Sequence, residues 1–228
     1  MEIKEQSGLR AVLQDVEIPQ VYVVRQHFER DGIPDIPAYL HEKLNRGDLK
    51  SRIRPGMKVV LTGSSRQIAN MPVILRELAR FVKDQGGEPY IIPAMGSHGG
   101  ATAEGQREIL ESYGITEDFC GCPIFSSMET VQVGTMACGD EVRMDRFAYE
   151  ADAIIVVGRI KGHTAFRGPY ESGLIKMMAI GLGKREGADS LHRAGFRVFG
   201  ERLPEYAKIV FDHCNIIFGV GTIENEFD

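Results

Sequence analysis

Short runs of β-branched residues alternate along the chain with segments whose apolar positions recur every three or four residues. Lys58-Val-Val-Leu-Thr62, entered through the Pro55-Gly56 turn, reads as a buried strand. Asn70 is placed to cap a helix with Pro72 in its first turn. Ile74, Leu75, Leu78, Phe81 and Val82 fall on one face of it, and Gly86-Gly87 stops it. Glu88–Pro93 reads as the next strand, after which Thr102 caps a helix running to Tyr113 that Gly114 ends. Ala153-Ile-Ile-Val-Val-Gly158 is the strongest strand pattern, and a helix after Pro204 leads into a strand over Asn215–Gly219. Nearer the N-terminus, Val21-Tyr-Val-Val-Arg25 reads as a strand, and Asp35 with Pro37 opens a helix to about Arg46. The stretch from Cys120 to Asp145 reads as short strands and turns, an antiparallel excursion.

Strands separated by helices predict right-handed βαβ units. The fold class is α/β: a mostly parallel Rossmann-like sheet with flanking helices and a short antiparallel excursion near 120–145. The sequence halts at Ile223–Asp228, directly after a strand. That ending predicts that residues 1–228 are the N-terminal α/β domain of a longer two-domain protein.

Charge and composition remove several classes of function. With 27 Lys plus Arg against 32 Asp plus Glu, the formal charge is −5, and no basic cluster offers a face to nucleic acid. No stretch approaches the roughly 18 unbroken apolar residues of a membrane span, and the Met1-Glu-Ile-Lys-Glu start lacks a signal-peptide layout. The expected location is the cytoplasm. Four cysteines are too few for a disulfide framework, and Cys120-Gly-Cys122 is spaced more tightly than a zinc-binding pair, so reduced thiols are expected. The 26 glycines say more, because many sit beside histidines.

In open α/β sheets ligands bind outside the carboxyl ends of the strands. Here three strands run into Gly63-Ser-Ser-Arg66-Gln67, Met95-Gly-Ser-His98-Gly-Gly-Ala-Thr102 and Arg159-Ile-Lys161-Gly-His163-Thr-Ala-Phe-Arg167-Gly168. Each loop brings glycines, hydroxyls and a titratable or charged group to one edge, and the helix starts at Asn70 and Thr102 add free N–H groups. Together they predict a site for an anionic ligand. Gly-x-Gly-x-x-Gly followed by an acid is absent, as is a Walker loop, which weakens ordinary dinucleotide and P-loop readings.

The individual residues keep two readings. Arg66 is an anion-binding group or an ordinary surface arginine, and His98 a reacting group or a solvated loop histidine. His163 is set apart by basic residues at 159, 161 and 167, whose charge would depress its pKa and keep it neutral. His192, following Lys184, Arg185 and Asp189, is a functional group or part of a plain polar turn. His27, His41 and His213 default to structure.

Taken together, Gly-Ser-Ser-Arg66, Met-Gly-Ser-His98-Gly-Gly-Ala-Thr, Lys-Gly-His163-Thr-Ala-Phe-Arg-Gly, Gly-Leu-Ile-Lys176-Met-Met-Ala-Ile-Gly-Leu-Gly and His192 resemble the nickel-dependent lactate racemase family and its broader group of relatives. The resemblance runs from about Pro55 to the end. It implies a nickel-pincer nucleotide, a pyridinium mononucleotide derivative with sulfur arms on nickel, held by Lys176, Ser65, Gly96 and Gly99. Lys176 would be the tethering lysine and His192 the nickel ligand. Their separation of sixteen residues matches the family interval, which favours Lys176 over the nearby Lys184. It implies further that His98 and His163 are the acid/base pair and that Arg66 binds the substrate carboxylate. The implied partners are a small 2-hydroxy acid and the cofactor-biosynthesis enzymes, with neither nucleic acid nor membrane; self-association is left open. Gly63 and Gln67 stand where the family has an acid and a proline, and residues around Pro169-Tyr-Glu171 are inserted. These departures turn the expected substrate away from lactate toward a larger 2-hydroxy acid. Two other classes compete: a nucleotide- or phosphate-binding module without redox chemistry, and a zinc hydrolase using His98, His163 and His192.

Overall fold

A computed structural model describes residues 13–17, 19–28 and 31–226, which fall into two units, Met1–Arg30 and Asp31–Asp228. In the first unit the strand expected over Val21–Arg25 does not form. Val21, Tyr22, Val23 and Val24 are exposed and belong to no ladder among the described residues. β-branched residues fit a pleated, half-buried surface, but a strand exists only where its N–H and C=O groups find a neighbouring strand.

The second unit opens with α1 (Ile36–Leu44), capped as expected by the Asp35 carboxylate on the Ala38 amide at 2.9 Å. β1 (Lys58–Gly63), α2 (Met71–Asp84), β2 (Glu88–Pro93), α3 (Ala103–Ser112) and the single turn α4 (Glu117–Cys120) follow. β3 (Thr130–Thr135) and β4 (Glu141–Asp145) form the antiparallel excursion, joined by the short α5 (Arg146–Tyr149) to β5 (Ala153–Arg159). Then come α6 (Gly173–Lys176), a π-helical turn over Met177–Gly181, α7 (Lys184–Arg193), α8 (Phe196–His213) and β6 (Ile216–Thr222).

β2, β1, β5 and β6 make one parallel sheet in that order. Its side chains alternate between two cores. Val59, Leu61, Ile91, Ile155 and Val157 pack with Leu75, Leu78 and Val82 of α2, while Val60, Tyr90, Ile92, Ile154 and Val156 pack with Phe199, Leu203 and Tyr206 of α8. A sheet covered on both faces explains why β5 reads as an unbroken apolar run and not as an alternating one. Among the described residues no helix is long and apolar enough to cross a membrane.

Two helix starts differ from expectation. Asn70 precedes α2 but sits in the left-handed region at φ 60° and makes no side-chain cap. α8 begins at Phe196 and holds Pro204 in its interior. Phe199, Leu203, Tyr206, Ala207 and Val210 form a buried stripe along it, and that packing outweighs the break a proline would impose. The stripe reaches α7 at Gly187, where a Cβ would lie 2.3 Å from the Tyr206 hydroxyl. That hydroxyl is fixed between the Arg143 amide (2.8 Å) and carbonyl (2.6 Å). Gly187→Ala should therefore destabilise the protein by about 1–3 kcal/mol, read as a lower urea midpoint; an unchanged midpoint would show that the two helices can part freely.

Candidate functional site

The chain visits β1, then β2, then crosses back to β5, so the strand order reverses between β1 and β5. The crevice beyond the carboxyl ends at such a reversal is the ligand position of open α/β sheets. A cleft of about 660 Å³ lies there, and Ser65, Arg66, His98, His163, Lys176 and His192 all line it. They arrive from the loops after β1, β2 and β5, from the end of α6 and from α7. Gly96 and Gly99 do not line it. They stand at φ 60° and 65° behind His98, packed against Ile180 and against the Gly105 backbone respectively.

The electrostatics of the cleft are one-sided: no Asp or Glu is among its lining residues, in a chain whose net charge is negative. Arg159 is paired with Glu224 at 2.8 Å, whereas the side chains of Arg66, Lys161 and Lys176 have no partner among the described residues. Burial, then Arg66 and Lys161, lower the Lys176 ammonium's pKa from its ordinary value, which favours the neutral amine. Burial, then Arg66 and Lys176, lower His98; burial, then Lys176 and Lys161, lower His163 despite the opposing Glu171; burial and Lys176 lower His192. Lys176 thus acts on all three imidazoles.

Each ring is held differently. His98 Nδ1 meets the Ser65 hydroxyl, leaving Nε2 as its free nitrogen. His163 rests on Phe166 at 4.4 Å between ring centroids, and the Ala165 amide donates to its Nδ1 at 3.1 Å, so the neutral ring carries its proton on Nε2. Its loop is tied by Glu171, whose carboxylate accepts from the His163 amide at 2.8 Å and the Gly168 amide at 3.3 Å. The inserted segment of the sequence thus folds the loop that carries His163. His192 lies on α7 and not in the polar turn that was one of its readings, and it packs its ring against Phe199 at 5.1 Å. Neither of its nitrogens is engaged among the described residues. Lys184, close to Lys176 in sequence, is fully buried in an ion pair with Asp145 and has no access to the cleft.

Among the described residues no three His, Cys, Asp or Glu side chains converge as a metal-holding group. Cys120 and Cys122 are buried, and burial raises their thiol pKa values to about 11 and about 12, which holds them as thiols. Sequence reasoning passed over Phe196, which lines the cleft beside His192, and Gln106, which bonds the His98 loop from beneath. A lone aromatic and a lone amide carry no motif that would have marked them.

Acid should weaken this fold. The three histidines have folded pKa values below their ordinary 6.5, so below that pH the unfolded chain binds more protons than the native one. Their contribution is complete above about pH 6.5 and is lost as pH falls through the folded values. Thermal melts from pH 7 to pH 5 should show a falling Tm, and His163→Gln should flatten that fall. An equally steep fall in the variant would sink the assignment for His163.

Fold and site define an α/β domain with a cationic cleft at the carboxyl ends of a parallel sheet. The chain belongs to the family described as Domain of unknown function (DUF362), which matches it over residues 57–227. Among solved structures it is similar to the lactate racemase apoprotein from Thermoanaerobacterium thermosaccharolyticum. The identity is 12% and the TM-score 0.45, covering 77% of this chain and 45% of that one, so this chain spans less than half of that protein's length. No curated protein matches the chain.

Proposed function

We propose that the protein is a racemase or epimerase of a 2-hydroxy acid other than lactate, acting with a nickel-pincer nucleotide. The observation that carries this reading is the convergence of Arg66, His98, His163, Lys176 and His192 on one acid-free cleft. The donor set fits the group. Lys176 is an unpaired amine biased toward its neutral, nucleophilic form, which suits a covalent tether. His192 has an unengaged imidazole, a ligand that suits nickel. When bound, the cofactor supplies the hydride acceptor and donor that a carbon of such low acidity requires.

The remaining work falls to the chain's own side chains. Arg66 offers a fork of donors to the substrate carboxylate, and the missing acids leave that charge unopposed. His98, held at Nδ1 by Ser65, accepts the hydroxyl proton at Nε2 for one enantiomer and returns it on reversal. His163 serves the other enantiomer. Its neutral ring first meets the hydroxyl as a donor, and it takes up a proton at Nε2 only on releasing the Ala165 amide from Nδ1. Lowered pKa values favour the neutral form of both rings at physiological pH, which leaves His98 ready to accept at Nε2 and His163 ready to donate from it.

Co-expressed with the cofactor-making enzymes, the full protein should carry nickel and erode the enantiomeric excess of a 2-hydroxy acid in a panel of larger side chains. Nickel-loaded protein that leaves every member of the panel unchanged would overturn the reading. The cationic cleft also favours a second one, a phosphate- or nucleotide-binding module. In that case pyrophosphate binding by calorimetry survives His98→Ala and His163→Ala, and no nickel is retained.

A further inference from the structure

We propose that Asp145, Lys184 and Gln106 form a buried positioning network that sets the attitude of His98 from behind its loop. The proposal rests on the reading of His98 as a proton-carrying residue. All three side chains are buried, Asp145, Lys184 and Gln106 each at 0% exposure. The Lys184 ammonium lies 2.6 Å from the Pro93 carbonyl at the end of β2, 3.0 Å from Gln106 Oε1 and 3.0 Å from Asp145 Oδ2. Oδ2 makes no well-directed hydrogen bond in return, while the other oxygen, Oδ1, accepts from the Ala148 amide at 3.0 Å.

An ammonium donates and cannot accept, so Lys184 fixes which end of the Gln106 amide is which. With Oε1 held, the Gln106 NH₂ faces the loop, reaching the Gly96 carbonyl at 2.8 Å and the His98 carbonyl at 3.2 Å. The loop needs such a hold. Gly96, Gly99 and Gly100 lie in the left-handed region and bring little stiffness of their own. Lys184 is itself held at φ 52°, uncommon for a residue with a side chain, at the start of the helix that bears His192. The network therefore ties the loop of one site residue to the helix of another. Burial of the charge pair is not required for packing, because apolar side chains of like volume commonly replace such a pair without loss of stability.

The test uses two variants, Gln106→Met and the charge-neutral double Asp145→Leu/Lys184→Met, in the full protein. The first removes the donors to the loop together with the Oε1 acceptor of Lys184, whose ammonium keeps Asp145 and the Pro93 carbonyl; the second leaves no buried charge unpaired and keeps the experiment alive should the first fail to fold. His98 is followed by imidazole NMR titration in protein without cofactor. Its midpoint should move up toward the ordinary value as the ring loses its burial and its fixed place beside Arg66 and Lys176. In cofactor-loaded protein, kcat should drop about 10- to 100-fold with KM little changed, since a misplacement near 1 Å costs about that much in rate. An unmoved His98 midpoint in a folded variant overturns the positioning role, whatever the activity. A shifted midpoint in a protein whose parent shows no racemisation would instead overturn the reading of the site and leave the positioning role standing.

Discussion

Replacing His98 or His163 by alanine in the cofactor-loaded full protein should slow racemisation by a factor of about 10² to 10⁴, about 3–5 kcal/mol of barrier. The loss should appear from both enantiomers, because a group that accepts the proton in one direction must return it in the other. Fold and nickel content should be unchanged, since neither ring belongs to the buried cores and neither is the expected metal ligand. Chiral chromatography of the reaction, with metal analysis of the same samples, checks both halves of the statement. Wild-type turnover in either variant would remove that histidine from the acid/base pair. A second signature is the pH profile. Both rings have lowered pKa values, so kcat/KM should reach its plateau by neutral pH and decline only below about pH 6.5.

Lys176 and His192 should fail in different ways. Lys176→Ala should abolish any covalent mass adduct, and Lys176→Arg should do the same, because a guanidinium stays charged and is no nucleophile. The lowered Lys176 pKa supports the amine as the reactive form. His192→Ala removes one coordinate bond, so the adduct should persist while nickel is lost readily to a chelator. Intact mass, peptide mapping and nickel analysis separate these outcomes. A contrary result would be an adduct on another lysine. Lys184 is no rival on physical grounds, because its ammonium is sealed between Asp145, Gln106 and the Pro93 carbonyl. Lys161 lines the cleft and is the position to examine first.

Much of the architecture was legible because burial leaves a local trace. The apolar runs of β1, β2, β5 and β6 appear where strands were expected, and the period of α2 matches its buried face. Expectation failed where the deciding partner lies far along the chain. Val21–Arg25 has the residues of a strand but no neighbour among the described residues. Pro204 argued for a helix start, yet the stripe against the sheet carries α8 through it from Phe196. A plain polar turn was one reading of the stretch from Lys184 to His192, yet it forms α7, with Gly183 and Gly187 at close approaches to Ala179 and Tyr206 around its start.

For the site, sequence by itself determined which residue types reach one edge of the sheet, because each loop directly follows a strand and carries its glycines, histidine or arginine within a few residues. Only the tertiary structure decided that Lys176 and His192 join Arg66, His98 and His163 in one cleft, that no carboxylate stands among them, and that Lys184 is sealed beneath with Asp145 and Gln106. Charge, burial and hydrogen-bond partnership depend on distances between segments far apart in the chain. Local pattern records how a segment buries its own face and does not record which other segment it meets.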